Sequence, residues 1–112
     1  MNIRHEMEED IAILLLEGRM DGTNAAAVEE RFNALIQEGR SRFVIDLGGL
    51  SYISSAGLRI VLVAVKKTKA VQGRIMFAAL TEQVREILDM SGFLPLLETA
   101  PSREEALLAI RS

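Results

Sequence analysis

From residue 42 onward, short apolar runs alternate with segments whose apolar positions recur every three to four residues, and this alternation narrows the possible folds most. Strands that follow one another through helices lie parallel in one sheet, joined by right-handed crossovers. Phe43-Val-Ile-Asp-Leu47, bounded by Arg40-Ser-Arg42 and Gly48-Gly49, is nearly continuous in apolar residues and predicts a central strand. Leu58 to Val65 is β-branched enough for a strand. It runs into Lys66-Lys67-Thr68-Lys69, however, where basic residues suit a helix C-terminus, and Ser54 or Ser55 can cap the other end. The reading is therefore a helix over about 56–70, ended by Gly73. Arg74 to Leu80 predicts another buried strand, and Val84, Ile87 and Leu88 with Gly92 behind them a third helix. Leu94 to Glu98 predicts a last short strand, marked as an edge by Pro95. Ser102-Arg-Glu-Glu105 is a capping box that opens a final helix on Ala106, Leu107 and Ile110.

The N-terminal third begins differently. Ile3, His5 and Met7 alternate with polar residues, the period of a half-buried strand over about 2–8. After Glu9-Asp10, the run Ile11 to Leu16 predicts a strand buried on both faces, ending at Glu17-Gly18 and antiparallel to the first across the short turn. Ala25, Val28, Phe32, Leu35 and Ile36 then fall on one helical face over about 24–38, with Gly39 where a helix end wants a left-handed residue. The expectation is one α/β domain over residues 1–112, with a single-layer mixed β-sheet of about five strands and about four helices.

Composition removes several classes of function. Thirteen Lys+Arg against sixteen Asp+Glu leave a formal charge of −3, so a broad basic surface for nucleic acid is not expected. With no Cys and a single His, His5, the chain can build neither a zinc cluster nor a disulfide nor a Cys nucleophile. The longest apolar stretches, Ile11 to Leu16 and Ile60 to Val65, fall far below the roughly 18–20 residues that span a bilayer. The N-terminus lacks a signal peptide's apolar core, so a soluble cytoplasmic protein is expected, without membrane contact. Neither nucleotide-cradling glycine motif occurs, and Glu8-Glu9-Asp10 reads more simply as a solvated turn than as a cation site, so no cofactor and no metal are expected. Ser55 has no base near it in the sequence, and His5 lies at the far end of the chain, so the protein is not read as an enzyme.

What remains is Leu50-Ser-Tyr-Ile-Ser-Ser-Ala-Gly-Leu58, a small polar junction between the central strand and the most apolar helix. In one reading Ser54 or Ser55 is a plain N-cap and Gly57 permits close packing. In the other, a hydroxyl displayed at the helix N-terminus accepts a phosphate, which the helix amides and dipole tolerate in the free protein. A helical phase with Leu58, Val61, Leu62 and Val65 on the sheet leaves Ile60, Val63 and Ala64 as an exposed apolar flank, suited to a partner or a dimer contact.

Val44-Ile-Asp-Leu47 followed by Leu50-Ser-Tyr-Ile-Ser-Ser-Ala-Gly-Leu58 resembles the central signature of STAS domains, specifically the stand-alone bacterial anti-sigma-factor antagonists. Gly18-Arg-Met-Asp21 with Ala25, Ser91-Gly92-Phe93 and Glu104-Glu105-Ala106-Leu107 resemble flanking parts of the same family in the same order. The resemblance implies an antagonist that binds an anti-sigma factor, itself a serine kinase, is released by phosphorylation of one serine and is restored by a serine phosphatase. It places the acceptor two residues before the helix glycine Gly57, at Ser55, with Ser54 as second choice where many members carry Asp. It also places Asp21 where the family has an acid close to the switch serine, on the kinase-facing surface or simply in the turn before helix one. With the junction and the apolar flank, the expected partner surface is Asp21, Ser54, Ser55, Gly57, Ile60, Val63 and Ala64 on a monomer or weak dimer, while Asp46, an acid inside an apolar strand that must find donors, is read as structural. Two alternatives stay open: a STAS scaffold or small-ligand domain without a sigma-factor role, and an aspartate-phosphorylated receiver. The receiver is disfavoured because Asp46 precedes Leu47 and Glu98-Thr-Ala-Pro101 supplies no Lys.

Overall fold

A computed structural model describes residues 1–111. Its elements run β1 (Asn2–Glu8), β2 (Ile11–Met20), α1 (Ala25–Gln37), β3 (Arg42–Ile53), α2 (Ser55–Ala70), β4 (Arg74–Ala78), α3 (Glu82–Met90), a 3-10 turn (Leu94–Leu96), β5 (Thr99–Ala100) and α4 (Arg103–Arg111). The five strands form one sheet in sequence order, β1 antiparallel to β2 and the others parallel. Successive right-handed crossovers between neighbouring strands all wind the same way, so α1, α2 and α3 gather on one face. Ala12, Leu14 and Leu16 of β2, Phe43, Ile45 and Leu47 of β3, and Ile75 and Phe77 of β4 face those helices. Ile11, Ile13, Val44, Met76 and Ala78 point the other way and are covered by Ala106, Leu107 and Ile110 of α4. This is the mixed five-stranded sheet with four helices that the alternation predicts.

Several boundaries differ from the sequence reading, each for a local reason. Gly48-Gly49 does not end β3. The register runs Leu15 with Asp46 and then Glu17 with Gly49, so β3 holds an extra residue there and continues to Ile53. Such a bulge needs small residues, since a Cβ on Gly49 would lie 2.7 Å from Glu17 Cγ. β2 likewise continues past Leu16 to Met20. The strand expected over 94–98 is absent: Pro95 sits in the 3-10 turn Leu94–Leu96, and the edge strand is Thr99–Ala100, pairing Phe77 with Thr99 and Ala78 with Ala100. β1 is more exposed than its alternation suggests, with Ile3 alone half-buried, because no helix covers its outer edge.

The helix phase of α2 is also corrected. Ile60 and Ala64 are buried at 4% and 8% relative exposure, together with Leu58 and Val61, while Leu62, Val63 and Val65 are only partly covered. The sequence holds two adjoining apolar stripes, and the choice between them is made by α1, which packs beside α2. Lys67 Nζ donates to Asn33 Oδ1 at 2.6 Å across that contact, so α2 lies in a corner between sheet and helix. Ile60 and Ala64 are therefore core residues and not an exposed flank.

Candidate functional site

The junction is built from strand ends. Met20, the last residue of β2, pairs with Ile53, the last of β3, and the Ser54 N–H donates to the Met20 carbonyl at 2.9 Å. Ser54 is extended (φ −87°, ψ 176°) and caps α2: its Oγ accepts from the Gly57 N–H at 3.4 Å and its carbonyl accepts the Leu58 N–H at 2.8 Å. Ser54 is half-buried, whereas Ser55 is exposed and its hydroxyl has no hydrogen-bond partner among the described residues. Gly57 is buried, and a Cβ there would stand 2.7 Å from Ile53 Cγ1 and 3.1 Å from Met20 Cγ. It seats the helix on the two strand ends and presents nothing to a partner.

Asp21 follows Met20 and enters the same edge. Its Oδ1 accepts from the Thr23 hydroxyl at 2.6 Å and the Thr23 N–H at 2.9 Å, and its own N–H donates to Asn24 Oδ1 at 2.9 Å. The Thr23 hydroxyl, then the Thr23 backbone amide, hold the Asp21 carboxyl below the usual carboxylate range. The turn is thus rigid and its acid stays ionised.

The exposed side of α2 follows from its helical period. Ser55, Arg59, Leu62 and Lys66, spaced four, three and four apart, share one face; Ser55, Arg59 and Lys66 are exposed and Leu62 is half-buried. Val63 flanks that face and lines a small apolar cavity of about 20 Å³ between α1 and α2, with Val28, Phe32 and Ile60. Of the expected surface residues, the fold thus brings Asp21, Ser54, Ser55 and Val63 to accessible positions and buries Gly57, Ile60 and Ala64.

Sequence reading missed Arg19 and Tyr52. They are cross-strand neighbours only because of the β2–β3 register, and the Arg19 guanidinium lies 4.2 Å from the Tyr52 ring centre beside the junction. Thr81 was missed as well: it caps α3 by accepting from the Val84 N–H and donates its hydroxyl to the Leu50 carbonyl at 2.8 Å, tying a third helix start to β3. A threonine before Glu82-Gln83-Val84 is the signal that could have found it.

Other candidates resolve locally. Asp46 Oδ1 accepts from the Gly48 N–H at 2.9 Å and so fixes the β3 bulge, in line with a structural role. His5 sits opposite Leu14, roughly 20 Å of strand away from the Met20 end, where its Nδ1 lies 3.1 Å from Arg31 Nη1, too distant to serve Ser55 as a base. Glu8 and Glu9 pair with Arg111, and Asp10 with Arg42. Among the described residues no group of three or more His, Cys, Asp or Glu could hold a metal ion, and no helix is long and apolar enough to cross a membrane.

Comparison with known proteins places this geometry. The family model for the STAS domain matches residues 2–106. BtrV of Bordetella bronchiseptica, which carries the provisional name of anti-sigma factor antagonist, is 38% identical over 112 residues, covering 100% of this chain and 97% of that protein. An anti-sigma factor antagonist from Mycobacterium paratuberculosis superposes with a TM-score of 0.89 at 22% identity, over 99% of this chain and 94% of the other. The antagonist SpoIIAA superposes in its unphosphorylated form with a TM-score of 0.84 at 24% identity, over 98% and 96% of the two chains. In its phosphorylated form, from Bacillus, the values are 0.76, 23%, 98% and 100%.

Proposed function

The chain belongs to the STAS domain family, and from that membership we propose that it is an anti-sigma-factor antagonist: a binding module, with no catalysis of its own, released from its partner by phosphorylation of Ser55. The observation that carries the reading is the contrast at the junction, where Ser54 is half-buried and spends its oxygen on the Gly57 amide while Ser55 is exposed and unbonded. Support for the antagonist role comes from the relative BtrV, similar over its whole length, and the existence of SpoIIAA in unphosphorylated and phosphorylated forms supports the switch.

The partner is an anti-sigma factor that is also a serine kinase, and a serine phosphatase resets the protein. The kinase supplies ATP, magnesium and the base that takes the Ser55 proton, because among the described residues no base hydrogen-bonds that hydroxyl. Docking uses the edge around Asp21, Ser54 and Ser55 and the α2 face of Arg59, Leu62, Val63 and Lys66. A phosphate on Ser55 adds about −1.5 to −2 charges at the helix N-terminus, where the free protein accommodates them. Buried against the partner, the same charge costs several kcal/mol, and each 1.4 kcal/mol is tenfold in affinity. A loss of roughly a hundredfold to a thousandfold follows, enough to separate the pair with both still folded. In the cell such a module acts in the cytoplasm, where its partner and the sigma factor work.

The test is intact and tandem mass spectrometry after incubation with the cognate kinase and ATP. Phosphate on Ser55 is expected; on Ser54 it would move the switch by one residue, and on neither it would reduce Ser55 to an exposed first-turn residue.

A further inference from the structure

The sheet has one long open edge, the outer side of β1, and its sequence is complementary to itself. β1 spans seven residues, Asn2–Glu8, with His5 at its midpoint. Six of the seven are exposed and β1 pairs only with β2. A two-fold axis perpendicular to the sheet at His5 would set β1 antiparallel to β1 of a second copy with full overlap. Arg4 then stands opposite Glu6 of the other copy, Ile3 opposite Met7, and Asn2 opposite Glu8, each twice. From these relationships we propose that the outer edge of β1 is a self-association surface, joining two copies of this chain in one continuous sheet.

The register is specified by exclusion as well as by attraction. Antiparallel pairing about such an axis keeps side chains on their own faces only when paired residue numbers sum to an even value. Centring on Arg4 would oppose two Arg4 guanidiniums, and centring on Glu6 would oppose two Glu6 carboxylates, both destabilising across a strand pair. Centring on His5 alone makes two opposite-charge pairs and two apolar pairs. The faces agree: Ile3 packs against the α1–α3 side and His5 meets Arg31 of α1 at 3.1 Å, while Arg4 and Glu6 bond Glu17 and Arg103 on the α4 side. Edge strands ordinarily carry charge to prevent pairing; here like charges meet when the axis lies at Arg4, Glu6, Met7 or Glu8. Centring on Ile3 shortens the overlap and makes no ion pair, and only centring on His5 pairs the whole strand without a like-charge contact.

The same groups limit the strength. Arg4 and Glu6 already have partners within the chain, at 3.3 Å and 2.6 Å, and the two Arg31 side chains approach the axis together. A seven-residue strand pair also buries far less than the roughly 1,600 Å² of a standard interface. The dimer is therefore weak, concentration-dependent and loosened by salt. It leaves the edge that carries Ser55 free, so it is independent of the proposed switch.

The absence of cysteine makes the test clean. His5→Cys places two thiols across the axis with Cβ atoms about 4.5–5.5 Å apart, whereas Glu8→Cys places them six residues apart along the strands, roughly 20 Å. With oxidised glutathione, His5→Cys is expected to cross-link at least tenfold faster than Glu8→Cys; equal rates would overturn the proposal. In sedimentation at high protein concentration, Arg4→Glu alone and Glu6→Arg alone should each dimerise at least tenfold more weakly than the wild type. Mixing the two variants should restore association, because the introduced glutamate of one copy then faces the introduced arginine of the other, and the native Glu6 of the first faces the native Arg4 of the second. A wild type that stays monomeric near 1 mM, or a mixture no stronger than its components, would also refute the register.

Discussion

The Ser54 amide donates to the Met20 carbonyl at 2.9 Å, so Asp21 and Ser55 each follow one member of a bonded pair that closes the ends of two strands. Residues 34 apart in sequence are thereby presented on one edge, and the helix that begins there inherits its position from the strands beneath it. Neither a loop nor a flexible arm intervenes between the core and the hydroxyl.

The two serines separate by their effect on stability. Ser54→Ala removes the cap of α2 and should cost about 0.5–1 kcal/mol, the lower part of the range for such caps because the bond is long, at 3.4 Å. Ser55→Ala should change stability by less than about 0.5 kcal/mol, as exposed substitutions do. Urea unfolding of both variants measures this, and the reverse order would make Ser55 the cap.

Gly57→Ala tests how the helix is seated. Alanine is favoured over glycine in a helix by about 1 kcal/mol, yet its Cβ would sit 2.7 Å from Ile53 Cγ1. Overpacking of this kind costs about 1–3 kcal/mol, so net destabilisation is expected in thermal or urea melts. A more stable variant would mean that α2 can lift off Met20 and Ile53 freely.

Ile60→Ala should lose about 2–5 kcal/mol, whereas Val63→Ala, half-buried on the flank, should lose about 1 kcal/mol or less. Ile60→Glu should not fold, since its carboxylate would enter the core unpaired. Circular dichroism of a folded Ile60→Glu protein would return this side chain to the surface.

The chain order of strands and helices was legible because periodicity reports which residues face a core, and β2 shows it well, with Ile11 and Ile13 on one face and Ala12 and Leu14 on the other. What periodicity cannot report is the neighbour that does the covering. Ile60 and Leu62 were equally apolar candidates, and only the docking of α1 buries the first. Gly48-Gly49 read as a strand end because a bulge and a terminus ask for the same small residues. At the junction, Ser54, Ser55 and Gly57 were visible in sequence, whereas the Arg19–Tyr52 contact depends on a register shift that no local pattern carries.

Asp21 gives a pH dependence with a definite sign. Its folded pKa lies below its unfolded value, so its contribution is complete above about pH 4 and is lost as pH falls through the folded value. Thr23→Val removes the hydroxyl, the largest cause of the shift, and leaves the backbone donor. Carboxyl carbon NMR should show the Asp21 midpoint rising towards the ordinary range in that variant. An unchanged midpoint would assign the shift to the rest of the turn.

Arg59 lies four residues after Ser55 on the same exposed face of α2, and an acid preceding a base by four is the favourable order for a helical ion pair. Before modification Ser55 gives it nothing to pair with, so Arg59→Ala should change the unmodified protein by less than about 0.5 kcal/mol. Phosphorylation of Ser55 creates an acid with three oxygens within reach, beside a helix N-terminus that favours it already. The guanidinium then adds about 0.3–1 kcal/mol to the modified form, more at low salt than at high salt. A cycle combining phosphorylation with Arg59→Ala isolates that coupling from thermal melts. Phosphorus NMR provides a second reading: the second ionisation of the phosphate, near pH 6 when unperturbed, should lie lower with Arg59 present and rise on its removal. If the coupling is zero and the phosphate titrates identically in both proteins, Arg59 belongs to the docking face alone and takes no part in holding the phosphorylated state.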